Sequence, residues 1–234
     1  MKIRKFPVYA LMAVVFAVQI FSVPVFGMTM TDSFSDVGYS HENYTAIDYL
    51  RTQSVVQGYG DGTYKPDNSI SRAEFLKIVM EASSYEASGK NCYPDVKGDW
   101  YAKYVCRAKQ LGFVQGYTDG YFRPEQNISF VEASKLIANV LGLEVETTEG
   151  GQWYEGYVKA LEDNRAIPKS VSSFDKLVDR GEMAEMIWRI EEKPTYVSAT
   201  TYTGIERKME EVESDGGLLS FDSCVQLKDY LTEN

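Results

Sequence analysis

The sequence has very few of the residues that usually carry catalysis or bind metal ions. Of its 234 residues, one is histidine (His41) and three are cysteine. It contains no Gly-x-Ser-x-Gly segment, no histidine pair and no phosphate-binding loop. No two cysteines have the short spacing of a zinc site. The sequence therefore predicts a protein that is not an enzyme and that uses neither a metal nor a cofactor.

Three cysteines are too few for a fold built on disulfides. In an oxidising compartment Cys92 and Cys106 can pair with each other, which would leave Cys224 without a partner. Whether this disulfide forms is left open by the sequence.

Positive charge is also scarce. The formal net charge is −10, and it becomes −13 without residues 1–27, which hold three basic and no acidic side chains. So acidic a chain is a poor partner for nucleic acid or for anionic lipid, since both repel it. We expect neither as a ligand.

The N-terminus has the pattern of a signal peptide. A basic start with Lys2, Arg4 and Lys5 precedes a mostly apolar stretch at 8–26, and small residues occupy the positions that a signal peptidase reads. An uncleaved membrane anchor is the rival interpretation, although Gln19 and Pro24 interrupt the apolar stretch. We predict a signal peptide at 1–27, an exported protein, and no membrane span after cleavage.

A long sequence motif occurs twice, 58 residues apart. It runs from Gly58 to Glu74 and again, without a gap, from Gly116 to Glu132. Turn glycines, an aromatic residue, a basic residue, a proline and a Ser-x-x-Glu recur in the same order. A period of this length indicates a repeated supersecondary unit, and stacked repeats more often form binding surfaces than catalytic sites.

Each unit is predicted to be a helix, a glycine-containing loop and a second helix. The second helices are announced by capping boxes, in which a side chain at the helix start and a glutamate three residues later bond each other's amides. These pairs are Ser71 with Glu74, Ser129 with Glu132 and, in a degenerate third unit, Asp179 with Glu182. The third unit has lost the glycine turn. The units span 30–86, 90–146 and 149–193, and the fold class is mainly α with a single core.

The ordered string of motifs in 30–192 resembles the S-layer homology repeat. The resemblance rests on Phe34-Ser-Asp-Val37, on the glycine turn that ends at Pro66, and on Ile70-Ser-Arg-Ala-Glu74. It implies three helix–loop–helix repeats packed around a pseudo-threefold axis. It further implies that grooves between neighbouring repeats bind secondary cell-wall polysaccharide through a pyruvate-ketal sugar. The protein would thereby be held non-covalently on the cell wall, in the S-layer or at the cell surface.

The resemblance also implies which residues contact the glycan. The arginine of its motif falls on Arg72 and Arg180, whereas the second unit has Phe130 there, so the three grooves should differ. The candidate glycan-binding residues are Arg72, Arg180, Trp100, Trp153, Asp36, Asp95, Gly60, Gly62 and Gly120. A helix N-terminus beside an arginine suits a carboxylate, and an indole suits a sugar face.

Each candidate also has a purely structural interpretation. The residues at the helix starts can act as caps alone, and the arginines can be ordinary solvated or salt-bridged residues. Core packing by the tryptophans and turn stabilisation by the aspartates are likewise open.

The C-terminal region, 194–234, has a different composition. Its first part is rich in threonine, serine and tyrosine and then strongly charged, which indicates a linker, and a short helix is expected at 223–231. A protein partner bound through this tail is the basis of an alternative function. In that alternative the protein is a cell-surface interaction adaptor that uses its acidic faces or its tail.

Overall fold

The computed structural model describes residues 34–147 and 149–214, with side chains as far as 211. The predicted signal peptide at 1–27 and the helix expected at 223–231 lie outside these residues. The described part is mainly helical, which confirms the predicted fold class, and none of its helices is long and apolar enough to cross a bilayer. Its helices are α1 (Tyr44–Thr52), α2 (Arg72–Ala82), α3 (Ala102–Gln110), α4 (Phe130–Leu141), α5 (Glu155–Asp163), α6 (Arg180–Glu192) and α7 (Tyr202–Ser214).

A small antiparallel hairpin precedes α3. It consists of β1 (Asn91–Tyr93) and β2 (Val96–Lys97), and the equivalent element in the first unit is a single bridge between Phe34 and Val37. Cys92 on β1 is joined by a disulfide to Cys106 on α3. The disulfide therefore fixes the hairpin against the helix that follows it.

The first helix of each predicted unit packs on the second helix of another. In the strongest contacts α3 lies against α2, α5 against α4, and α1 against α6. The sequence predicted helix–loop–helix units but gave no indication of this exchange. Because each amphipathic helix buries its apolar stripe on a different unit, the described units share one hydrophobic core.

Three buried residues connect the units through their backbones. The amide of Ile70 donates to the carbonyl oxygen of Val178, that of Val178 to Ile128, and that of Ile128 back to Ile70, at 3.0–3.1 Å. The three hydrogen bonds form a closed ring. Each of these three residues directly precedes the N-cap residue of α2, α4 or α6. The ring therefore sets the positions at which these three helices begin.

The segment after Pro194 is not the linker that its composition indicated. Helix α7 packs on α5 and buries Ile205 completely, and the ring of Tyr202 lies 4.9 Å from that of Phe174. The preceding stretch is tied down as well, since Arg165 donates to the carbonyl oxygens of Thr195 and Val197. The prediction of a linker is thus wrong for 195–211.

Candidate functional site

The three predicted capping boxes are present. At α2 the amide of Glu74 donates to Ser71 Oγ at 3.3 Å, and at α6 the amide of Glu182 donates to Asp179 Oδ1 at 2.7 Å. At α4 the return bond runs from the Ser129 amide to the carboxylate of Glu132 at 3.1 Å. An extended cap residue and a glutamate one turn later thus begin each helix.

Arg72 and Arg180 are buried, each against a neighbouring unit. Arg180 Nε donates to the carbonyl oxygen of Tyr64 at 2.8 Å, and Arg72 Nε donates in the same way to that of Phe122 at 3.1 Å. Only 6% of Arg180 and 8% of Arg72 is exposed. Neither arginine is therefore an ordinary solvated residue.

Each guanidinium is also held by a tyrosine ring and by a cap glutamate. Arg180 lies 5.0 Å from the Tyr59 ring centre, with its Nη1 3.7 Å from Glu74. Arg72 lies 4.8 Å from the Tyr117 ring centre, with its Nη1 3.1 Å from Glu132. Glu74 and Glu132 therefore each take part both in a helix cap and in an ion pair with a buried arginine. The planar cation is fixed before any ligand arrives.

The first groove is a cavity of about 390 Å³ beside α2. Arg180 and Trp100, two of the predicted glycan-binding residues, both line it. Trp100 is 53% exposed and precedes α3, so it is not a core residue of that helix. The other lining residues are Val55, Val56, Gln57, Gly58, Tyr59, Glu74, Lys77, Ile78 and Glu81.

The second groove is the equivalent cluster beside α4. We define it by Arg72, Tyr117, Glu132, Lys135 and Trp153. The hydroxyl of Tyr117 donates to Glu132 at 2.7 Å, and Lys135 Nζ lies 5.4 Å from the Trp153 ring centre. The structure thus brings Arg72 and Trp153 into one cluster through the side chains between them.

The corresponding position beside α6 has a different composition. Phe130 replaces the arginine and is fully buried, as the sequence comparison of the three units had led us to expect for an unequal groove. The cap glutamate Glu182 instead binds Lys176 at 2.6 Å and Ser170 at 2.5 Å, both from its own unit. Within the part of the chain that the structure describes, no arginine is paired with Glu182.

Asp36 and Asp95 hold the glycine turns. Asp36 accepts the amides of Tyr64 and Lys65 at 2.7–2.8 Å, and Asp95 accepts those of Phe122 and Arg123 at 2.6–3.0 Å. Both oxygens of each carboxylate thus have backbone partners. This matches the turn-stabilising interpretation.

The predicted turn glycines are exposed and do not line the first groove. Gly60 and Gly62 lie in the first turn and Gly120 in the second, and a Cβ atom at any of them would meet nothing within 4 Å. The glycine that lines the cavity is Gly58, at the start of the turn.

Two lysines in the grooves were missed by the sequence analysis. Lys77 lines the first groove and Lys135 lies in the second, each three residues after the cap glutamate. This spacing places lysine and glutamate on the same side of the helix. The signal was therefore present as a recurrent Glu-x-x-Lys, within the repeat but beyond the motif.

The cap of α6 is expected to make folding stability depend on pH. Burial raises the pKa of Asp179 from 3.8 to about 6, and the nearby carboxylate of Glu182 acts in the same direction. The folded state thus binds this proton more tightly than the unfolded state, so the contribution of Asp179 to folding stability is fully present below about pH 4 and is lost as the pH rises to about 6.

We expect Asp179→Asn to weaken this loss of stability, because asparagine retains a cap but does not ionise. Urea unfolding at pH 4, 5, 6 and 7 measures it for both proteins. If the free energy of unfolding depended on pH equally in the parent and the variant, the titrating group would be a residue other than Asp179.

Two segments of the chain match the S-layer homology domain, at residues 33–76 and 93–133. The chain is 34% identical over 145 residues to the Middle cell wall protein of Brevibacillus brevis, a match covering 59% of this chain and 13% of that protein. It is 35% identical over 117 residues to the Cellulosome-anchoring protein of Acetivibrio thermocellus, covering 47% and 26%.

The chain is also 26% identical over 182 residues to a Cell surface protein of Thermoanaerobacter kivui. This longer match covers 75% of this chain and 23% of that protein. The chain thus corresponds to about a quarter or less of each of these relatives. The matched domain and these relatives support a secreted protein associated with the cell wall.

Proposed function

Because the chain carries the S-layer homology domain, we propose that it anchors an exported protein non-covalently to the bacterial cell envelope. Its ligand is secondary cell-wall polysaccharide, bound through a pyruvate-ketal sugar in the grooves that contain Arg180 and Arg72. One of the similar proteins is itself described as cellulosome-anchoring. The matched domain and the relatives point to a non-enzymatic role at the cell surface.

We further propose that 149–193 is a third, degenerate repeat and that the repeats surround a pseudo-threefold axis. Residues 30–86 and 90–146 form the other two, after a signal peptide at 1–27. The support is the closed ring formed by Ile70, Ile128 and Val178, together with the equivalent caps of the three second helices.

The observation that carries the glycan proposal is the meeting of Arg180 and Trp100 in the first groove. A guanidinium can donate two parallel hydrogen bonds to a carboxylate, and an exposed indole offers an apolar face to a sugar ring. The guanidinium is already oriented by Tyr64 and Tyr59, so little entropy is lost on binding. Hydrogen bonding and stacking of this kind need no proton transfer, which suits recognition rather than catalysis.

Sedimentation with purified cell walls tests the proposal. We expect the protein to pellet with walls, and Arg72→Ala combined with Arg180→Ala to reduce the bound fraction at least about tenfold, since charge-assisted hydrogen bonds are lost. Removal of the ketal pyruvate from the walls should have the same effect. Because both arginines are buried, Trp100→Ala is measured as an exposed groove variant.

The control is Arg51→Ala combined with Arg207→Ala, two exposed arginines that give the same change in net charge. This protein should pellet like the parent. Undiminished pelleting of the groove variants would overturn the site assignment. Pelleting that requires wall protein rather than glycan would favour the alternative, a cell-surface interaction adaptor.

A further inference from the structure

The first and second grooves contain the same arginine, tyrosine and cap glutamate but differ in charge one helical turn further along. Both α2 and α4 carry a lysine three residues after the cap glutamate, at Lys77 and Lys135. Four residues beyond the lysine, α2 has Glu81 and α4 has Asn139. Residues four apart are neighbours on a helix surface, so this difference acts directly on the lysine.

In the first groove the lysine is neutralised. Lys77 forms an ion pair with Glu81, whose other oxygen accepts a hydrogen bond from the hydroxyl of Tyr104 at 2.6 Å. Arg180 is likewise paired with Glu74. Two cations thus face two carboxylates, and an incoming anion would have to compete with carboxylates already in place.

In the second groove the lysine has no carboxylate at this position. The side-chain amide of Asn139 donates to the carbonyl oxygen of Phe113 at 3.2 Å. Within residues 34–147 and 149–211, Lys135 forms no ion pair. Its ammonium instead lies 5.4 and 5.6 Å from the ring centres of Trp153 and Tyr157.

Glu155, two residues after Trp153 at the start of α5, is paired with Lys159 at 2.5 Å. In the second groove Arg72 and Lys135 thus face one carboxylate, that of Glu132, and one positive charge is left over. Burial, followed by the charge of Arg72, lowers the pKa of Lys135, so two cations repel each other in a half-buried place.

We propose that the second groove is the principal binding site for the ketal carboxylate of the glycan, and that the first groove, whose two cations are already paired, binds the same group more weakly. This inference rests on the proposed function and assigns different affinities to the two grooves. An anion placed between Arg72 and Lys135 removes their repulsion without breaking an existing pair involving the lysine. Trp153 then provides the apolar wall of the same site.

Reciprocal substitutions at the equivalent positions test this assignment. The probe is a wall-glycan fragment bearing one pyruvate ketal, compared by calorimetry with the same fragment after removal of the ketal. Asn139→Glu gives Lys135 a carboxylate and should weaken binding of the ketal fragment at least about tenfold. Asn139→Gln controls for size and should change it little. Glu81→Gln, which frees Lys77, should strengthen binding of the ketal fragment in the first groove.

The outcomes separate the inference from the anchoring proposal. If the parent binds neither fragment, the proposed function is wrong and the inference fails with it. If the parent binds the ketal fragment and Asn139→Glu binds it equally well, the inference alone is overturned. Weakening by Asn139→Glu must also be confined to the ketal fragment, because equal loss for both fragments would indicate general damage to the groove. Urea unfolding of each variant checks that α4 remains folded.

Discussion

Replacing Gly116 with alanine is expected to lower the free energy of unfolding by about 2–4 kcal/mol, from backbone strain and overpacking together. Gly116 has φ +82°, where a side chain is strained. An added Cβ would also lie 2.7 Å from Cε1 of the buried Tyr93 and 2.9 Å from the carbonyl oxygen of Tyr121. The turn and the ring beneath it would have to separate, and the turn positions Tyr117 in the second groove.

Gly120 provides a matched control in the same turn. Its φ is +81°, but a Cβ there would meet nothing within 4 Å. Gly120→Ala should therefore cost only the backbone strain, about 1 kcal/mol. Urea unfolding of both variants measures the difference, and equal losses would show that the contact with Tyr93 is not what requires glycine at 116.

Substitution of Arg189 by methionine is expected to cost about 3–5 kcal/mol, because it removes one partner of a buried ion pair. Arg189 is 1% exposed and binds Glu185 on the same helix. It also donates to the carbonyl oxygens of Arg165 and Ser198, at 3.0 and 2.8 Å. The substitution would leave Glu185 charged in a place where burial already raises its pKa.

Two further variants identify the cause. Adding Glu185→Gln to Arg189→Met should recover part of the loss, since the uncompensated charge is then gone. Lys159→Met breaks a pair of the same i, i+4 spacing with Glu155, but Lys159 lies at the surface, where solvent screens the pair, so we expect a much smaller loss of stability. Thermal or urea unfolding that ranked the two pairs equally would contradict this account of Arg189.

The sequence predicted what is determined locally. The capping boxes at Ser71, Ser129 and Asp179 need only four consecutive residues, and the turns need only a glycine and an aspartate at the right spacing. These features could therefore be predicted without knowledge of the fold.

Features that depend on residues distant in the chain could not be predicted from the sequence. Arg180 was recognised through its motif, but its burial depends on the carbonyl oxygen of Tyr64, 116 residues away. The pairing of α1 with α6 is equally non-local. Core packing was one interpretation of Trp100, but this residue precedes α3, which begins at Ala102, and is exposed in the first groove.

The composition of α7 did not indicate a helix packed on the core. The charged residues around Glu206 indicated a solvated linker, yet Tyr202, Ile205 and Met209 recur at spacings of three and four and contact the core. A short stripe of this kind is weak evidence in isolation, because its burial depends on the surface that α5 presents.

The closed ring of backbone hydrogen bonds has a consequence for how the chain acquires its structure. The ring needs Val178, and α1 needs α6, whose Glu185 also binds Asn43 across 142 residues of sequence. A chain emerging from its N-terminus therefore has no partner for its first helix until most of the sequence has followed. Folding should be slow for a helical protein and should occur in one late step, because loops this long must close before native contacts compensate for the lost entropy.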